Sequence, residues 1–117
     1  MPTVYVVQNQ HTLDKATETL VPRFDVKTAE KYGELFFLLS PNAKPYRPDL
    51  TIPTLQSVLK NFTDEDYVLM VGNHSLCAFA LAIAADVNDG RVKVLQWNGY
   101  EREYSMIQVE NLFFEME

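Results

Sequence analysis

The chain has 117 residues, enough for one domain that buries about 65% of the surface its unfolded form would expose. Apolar residues make up 47% and charged residues 22%, a globular balance that excludes disorder, collagen and coiled coil. Ten basic residues against sixteen acidic leave a net charge of −6, which argues against broad nucleic-acid binding, since neutralising phosphates needs a positive surface.

Thr3–Val7 (TVYVV) is β-branched and aromatic and reads as a strand. Gln8 to Pro22 has only Leu13, Leu20 and Val21 as scattered apolar residues; it reads as a surface loop with at most a frayed helical turn. Asp25 can cap a short helix through Tyr32, ahead of Gly33. Glu34–Leu39 (ELFFLL) is apolar without alternation, the pattern of a strand covered on both faces. Prolines 41, 45, 48 and 53 then stiffen an extended loop, because each removes a donor and biases its predecessor away from helix. Pro53 suits the first turn of a helix, and Leu55, Val58, Leu59 and Phe62 follow as one apolar stripe. Tyr67–Val71 (YVLMV) is another continuous apolar strand. Gly72 ends it, Asn73 or Ser75 caps a helix running to about Val87, and Asn88-Asp89-Gly90 closes that helix. Arg91–Trp97 and Tyr104–Val109 are the last strands, joined around Asn98-Gly99, a hairpin signal, with Tyr100–Glu103 available to lengthen the loop.

Two consecutive strand–helix–strand units, Glu34–Val71 and Tyr67–Trp97, imply right-handed crossovers and parallel neighbours. The expected fold is α/β: a small three-layer sandwich with a mainly parallel central sheet of about five strands and a C-terminal antiparallel hairpin. Residues 1–117 form a single domain, with 110–117 as an apolar and acidic tail. The longest mainly apolar run, Leu76 to Ala85, is too short to span a bilayer, so no membrane association is expected. The start, MPTVYVVQ, shows no secretory signal. The single cysteine, Cys77, excludes an internal disulfide and suits a reducing compartment.

Charge is uneven along the chain. Residues 61–90 hold five acids and no Lys or Arg, whereas residues 1–60 hold seven basic residues against six acidic. Solubility accounts for an acidic bias, and a face for a basic partner is the alternative. Mimicry of nucleic acid is a third reading, disfavoured because the carboxylates are few and irregularly spaced.

The segment from Leu76 to Ala85 is apolar nearly all round, so other elements enclose it or a second copy of the chain covers it in a homodimer. Around it lie Asp66-Tyr67, Gly72-Asn73, Ala84-Ala85-Asp86, Asn88, Gly90-Arg91 and Trp97, together with the earlier EKYGEL. This pattern resembles a family of small tailed-bacteriophage proteins: an Asp-Tyr strand, a Gly-Asn turn, an Ala-rich helix, Asn-x-Gly-Arg, and a strand ending in Trp. The resemblance spans about residues 29–109, with His74 where the pattern carries proline. It implies a phage product acting in the host cytoplasm, and it implies no activity.

Five groups of residues are candidates for chemistry or recognition. Gly72, Asn73, His74 and Ser75 lie between a buried strand and a helix, where α/β sheets bind ligands and helix N-termini attract anions. The turn has one glycine and no nearby lysine, though, and a capped tight turn explains it as well. His74 and Cys77 share a helix face, the spacing of an activated thiol; a packed core thiol is the simpler reading. The ligand set of a zinc site is absent, so no metal and no cofactor are expected. Asp64, Glu65 and Asp66 read as a solvated turn rather than an ion site. Lys44-Pro45-Tyr46-Arg47-Pro48 is the one basic and aromatic cluster, and proline stiffening would hold Tyr46 and Arg47 for a partner at low entropic cost. Leu112, Phe113 and Phe114, flanked by Glu110, Glu115 and Glu117, must dock on their own domain or bind something.

The function expected from these residues is a non-catalytic phage accessory protein that binds a host or phage protein through Tyr46, Arg47, Phe113 and Phe114. The alternative is a small-molecule or nucleotide-binding domain, with or without enzymatic activity, that uses the strand–Gly72–helix turn.

Overall fold

The structure, a computed structural model, describes residues 2–8, 11–14, 16–22 and 26–113, with 11–14 and 19–22 described by their backbone alone. In chain order the elements are β1 (Thr3–Gln8), β2 (His11–Asp14), β3 (Thr19–Pro22), a 3-10 helix (Lys27–Lys31), β4 (Glu34–Leu39), α1 (Pro48–Leu59), β5 (Tyr67–Leu69), α2 (His74–Val87), β6 (Val92–Asn98) and β7 (Glu103–Val109). The main sheet has the order β4-β1-β5-β6-β7; the first four strands are parallel and β7 returns antiparallel to β6. Counted along this sheet alone, the order is 2-1-3-4-5. This is a doubly wound arrangement whose winding direction reverses between β1 and β5.

The sheet separates two clusters of buried side chains. On one face, Tyr5, Val7, Val68, Val92 and Val94 meet Leu55 and Leu59 of α1 and Leu76, Cys77, Ala80 and Ala84 of α2. On the other, Val4, Val6, Leu69, Leu95 and Tyr104 meet Val26 and Ala29 of the 3-10 segment. The alternation of β1 feeds both clusters, which is why Val4 to Val7 can all be buried in one strand. The expected three layers are present, and the layer formed by the 3-10 helix is thin. The apolar helix α2 is enclosed on one side only: Leu76, Cys77, Ala80, Ala84 and Ala85 are buried and α1 packs beside it, while Ala78, Ala82 and Val87 are exposed and Phe79, Leu81 and Ile83 are half-buried.

Several local expectations are corrected. The stretch read as a surface loop contains the β2–β3 hairpin, an antiparallel ladder from His11↔Pro22 to Asp14↔Thr19. The ladder sets Thr12 opposite Val21 and Leu13 opposite Leu20, cross-strand pairs too short to reveal a period. The prolines at 48 and 53 do not extend a loop: α1 begins at Pro48, in the position where a missing N–H costs nothing, and carries Pro53 inside it. Strand β4, read as covered on both faces, is a sheet edge, and Phe36 and Phe37 are 47% and 44% exposed. Between β6 and β7 the last pair is Asn98↔Glu103, so the loop is the four residues 99–102. The Asn98 carboxamide closes it by accepting from the N–H groups of Tyr100 (3.0 Å) and Glu101 (3.3 Å). The expected cap Asp25 lies outside the described residues.

Candidate functional site

In a doubly wound sheet, ligands enter at the carboxyl ends of the strands where the winding reverses. Here that point lies between Gln8, at the end of β1, and the Gly72-Asn73 turn after β5. Gln8 is 2% exposed and fills it. Its Nε2 donates among the carbonyls of Ser40 (3.1 Å), Pro41 (3.3 Å) and Ala43 (3.1 Å). Its Oε1 accepts from the Asn73 N–H at 3.0 Å, and its own N–H donates to the Val71 carbonyl at 2.9 Å. One side chain therefore ties the end of β1 to the proline-rich loop and to the start of α2.

The Gly72 turn is built to fit that side chain. Gly72 has φ +131°, and an added Cβ would lie 2.6 Å from the Gln8 Cβ. Asn73 caps α2: its Oδ1 accepts from Ser75 N–H (2.9 Å) and Leu76 N–H (3.4 Å), while its carbonyl accepts from Cys77 N–H (2.9 Å). The amides of Asn73, Ser75, Leu76 and Cys77 are thus committed within the chain, which leaves little of the dipole-end donor set for a phosphate. His74 and Ser75 are exposed on the first turn of the helix. Cys77 is buried, and burial pushes its thiol pKa up to about 11. That is the opposite of nucleophile activation.

Gly72, His74 and Cys77 border a groove of about 630 Å³ between α2 and the β6–β7 ribbon, with Leu81, Val94 and Ile107 on its walls. The groove exists because α1 and α2 cover the sheet only as far as β6, leaving that face of β7 without a helix. The continuous apolar strands in the sequence gave no sign of this uncovered region.

Tyr46 and Arg47 belong to the same end of the sheet as Gln8. Tyr46 is 74% exposed, and the loop before it is fastened by the Gln8 contacts. Arg47 makes a bidentate pair with Asp49 through Nε (3.2 Å) and Nη2 (3.0 Å). That pair raises the arginine pKa and lowers that of Asp49. Leu50, 58% exposed, adds apolar area in the first turn of α1.

The tail is elsewhere. The Leu112 N–H donates to the Gly90 carbonyl at 2.9 Å, and a Cβ added to Gly90 would meet the Phe113 ring at 3.2 Å. Gly90 precedes β6, at the opposite end of the parallel strands from Gln8. The structure therefore separates Phe113 from Tyr46 and Arg47, and Phe114 lies outside the described residues. Leu112 and Phe113 remain 45% and 44% exposed although their backbone is docked.

The carboxylate run divides into unlike parts. Asp64 is exposed and accepts from Arg91 Nε (3.0 Å) and Asn88 Nδ2 (2.8 Å), which lower its pKa, the Asn88 bond most. Asp66 is not part of a solvated turn: it is 7% exposed and accepts from the N–H groups of Thr3 (3.0 Å) and Thr63 (2.9 Å) and from the Thr63 hydroxyl (3.1 Å). It fastens the approach to β5 onto the start of β1. Among the described residues, no group of three or more His, Cys, Asp or Glu gathers to hold a metal ion. Among them too, no helix is long and apolar enough to cross a membrane.

No curated protein and no solved structure matches the chain. The model of the phage Pam3 gp32-like protein family matches residues 2–111. That span takes in both β1 with its Gln8 and the whole Asp66–Trp97 pattern, and the chain belongs to the phage Pam3 gp32-like protein family.

Proposed function

We propose that the protein is a phage accessory protein that acts without catalysis, by binding a host or phage protein in the host cytoplasm. The observation that carries this reading is the fastened loop 40–47. Gln8 holds its start, Arg47 is braced on Asp49, and Tyr46 stands 74% exposed between them. A loop whose backbone is already fastened loses less entropy when its side chains dock on a partner. Tyrosine and arginine are also the residues most often found to dominate interfaces. Leu50 widens the same patch, and Leu112 and Phe113 offer a second, separate contact at the other end of the sheet.

Affinity capture from infected cells tests the reading. A stoichiometric protein prey whose binding is weakened by Tyr46→Ala with Arg47→Ala supports it. Capture that is unchanged by the double variant contradicts it.

A second reading is favoured by the groove beside Gly72 and His74, whose volume falls in the range of small-ligand sites. Its apolar walls and the committed amides of the α2 N-terminus suit an apolar ligand better than a nucleotide. A thermal-shift panel holding both classes separates them, since a ligand present at about 100 times its Kd adds about 2.7 kcal/mol of stability.

A further inference from the structure

Helix α2 packs on the core with one side and leaves the other open. Leu76, Cys77, Ala80 and Ala84 face the core. Ser75, Ala78, Ala82 and Asp86 are exposed, and their spacing sets them in one stripe along the helix. Phe79 and Ile83 border the stripe on one flank and Leu81 on the other, all half-buried. The elements that pack on α2 are α1, β1, β5 and β6, and they leave the stripe uncovered.

Between His74 and Asp86 the helix has no charged side chain, although the chain carries a net charge of −6. Two acidic copies can meet on this face without opposing like charges. We infer that α2 packs antiparallel against α2 of a second copy, on a two-fold axis that sets Ala78 against Ala82 of the partner subunit, to give a homodimer. Alanines at the crossing let the two backbones approach to about 8 Å. Phe79, Leu81 and Ile83 then lose their remaining contact with water. Ile107, 45% exposed across the groove, extends the apolar area on the Leu81 side.

Charge selects both the occupant and the orientation. The pairing brings His74 and Ser75, in the first turn of α2, beside Asp86 of the partner subunit, in its last turn. Symmetry makes this contact twice. The imidazole has an N–H to donate in either protonation state. Asp86 of the partner subunit also lies near the positive end of the α2 dipole. Antiparallel packing keeps Asp86 about 18 Å along the axis from Asp86 of the partner subunit, beyond the reach of screened repulsion. A parallel pair would set the two carboxylates side by side. No residue of the Tyr46 patch takes part.

Sedimentation equilibrium of the full chain over a concentration series tests it. Wild type is expected to reach twice the chain mass. His74→Glu and Asp86→Lys each suit the dipole of their own helix, so neither should harm the fold. Across the interface, however, His74→Glu sets two carboxylates together, and Asp86→Lys sets an ammonium against a positive helix end. Each should weaken the dimer about tenfold. Both changes in one chain should restore it. Ala82→Arg puts a charge at the crossing and is expected to be monomeric; Ala78→Arg takes its place should that variant fail to fold by circular dichroism. Phe37→Lys, on the β4 edge, should leave the dimer intact. The inference is overturned by a dimer that the single swaps or Ala82→Arg leave unchanged, that the double swap does not restore, or that Phe37→Lys breaks. A monomer at every concentration overturns it too, and leaves the face to another occupant such as an apolar ligand.

Discussion

Gln8 holds three segments together through one carboxamide, and its removal is the most informative single change. Gln8→Ala strips the Asn73 N–H of its acceptor and the carbonyls of Ser40, Pro41 and Ala43 of their donor. Leaving such groups unpaired costs about 3 kcal/mol in total. Urea unfolding should show that loss, with loop 40–47 becoming the first site of proteolysis. Cys77 supplies a pH test. Its folded pKa is pushed up to about 11 by burial, against about 8.5 in an unfolded chain. The folded state therefore holds the proton more tightly. The contribution is complete below about pH 8.5 and is lost as pH rises toward 11. Wild type should lose stability relative to Cys77→Ala across that window, and thiol reagents should label Cys77 rapidly only in denaturant. Rapid native labelling would contradict the burial. Neither Gln8 nor Asp66 was legible as a structural residue from sequence: one reads as the start of a loop and the other as the end of an acidic turn. The bonds that tie them to other segments reach partners 32 to 65 residues away, and no local pattern carries such distances.

Elements were legible where a single period or cap determined them. Of the stripe Leu55, Val58, Leu59 and Phe62, three are buried and Val58 is half-buried against them, and Asn73 caps α2 as a residue of its type should. Legibility failed where topology decides. An apolar strand such as Glu34–Leu39 has the same composition at an edge as in the centre, and only the strand order exposes Phe36 and Phe37. The β6–β7 loop was legible only as two alternatives, a tight turn or a longer loop, and the longer one holds. Asn98-Gly99 signals a two-residue turn, but the Asn98 side chain instead organises the four residues 99–102, and Arg102 takes the positive φ (53°). Gly99 is not among the positive-φ residues, and nothing lies within 4 Å of an added Cβ. Gly99→Ala should therefore raise or preserve the melting temperature, by about 0.5 kcal/mol at most. Gly72→Ala should cost several times more, because that residue combines φ +131° with the Gln8 contact. A thermal melt of both variants checks the contrast, and a costly Gly99→Ala would mean that the loop is misassigned.

At the scale of the molecule, the α/β fold leaves the crevice at its switch point plugged and the proposed recognition residues outside. Gln8 occupies the point where the sheet reverses its winding, and the same side chain secures the loop that displays Tyr46. Closure of the crevice and exposure of the ring are thus two results of one set of hydrogen bonds. The chain is acidic and belongs to a phage protein family, and the role proposed for it is binding of another protein through this loop. Isothermal titration of the captured partner against wild type and against Tyr46→Ala with Arg47→Ala tests this most directly. Both positions are exposed, so the double variant should keep the wild-type melting temperature. Its affinity should fall roughly thirtyfold, corresponding to about 2 kcal/mol for a truncated interfacial anchor. An unchanged affinity with the fold intact would contradict the assignment of this loop as the recognition surface.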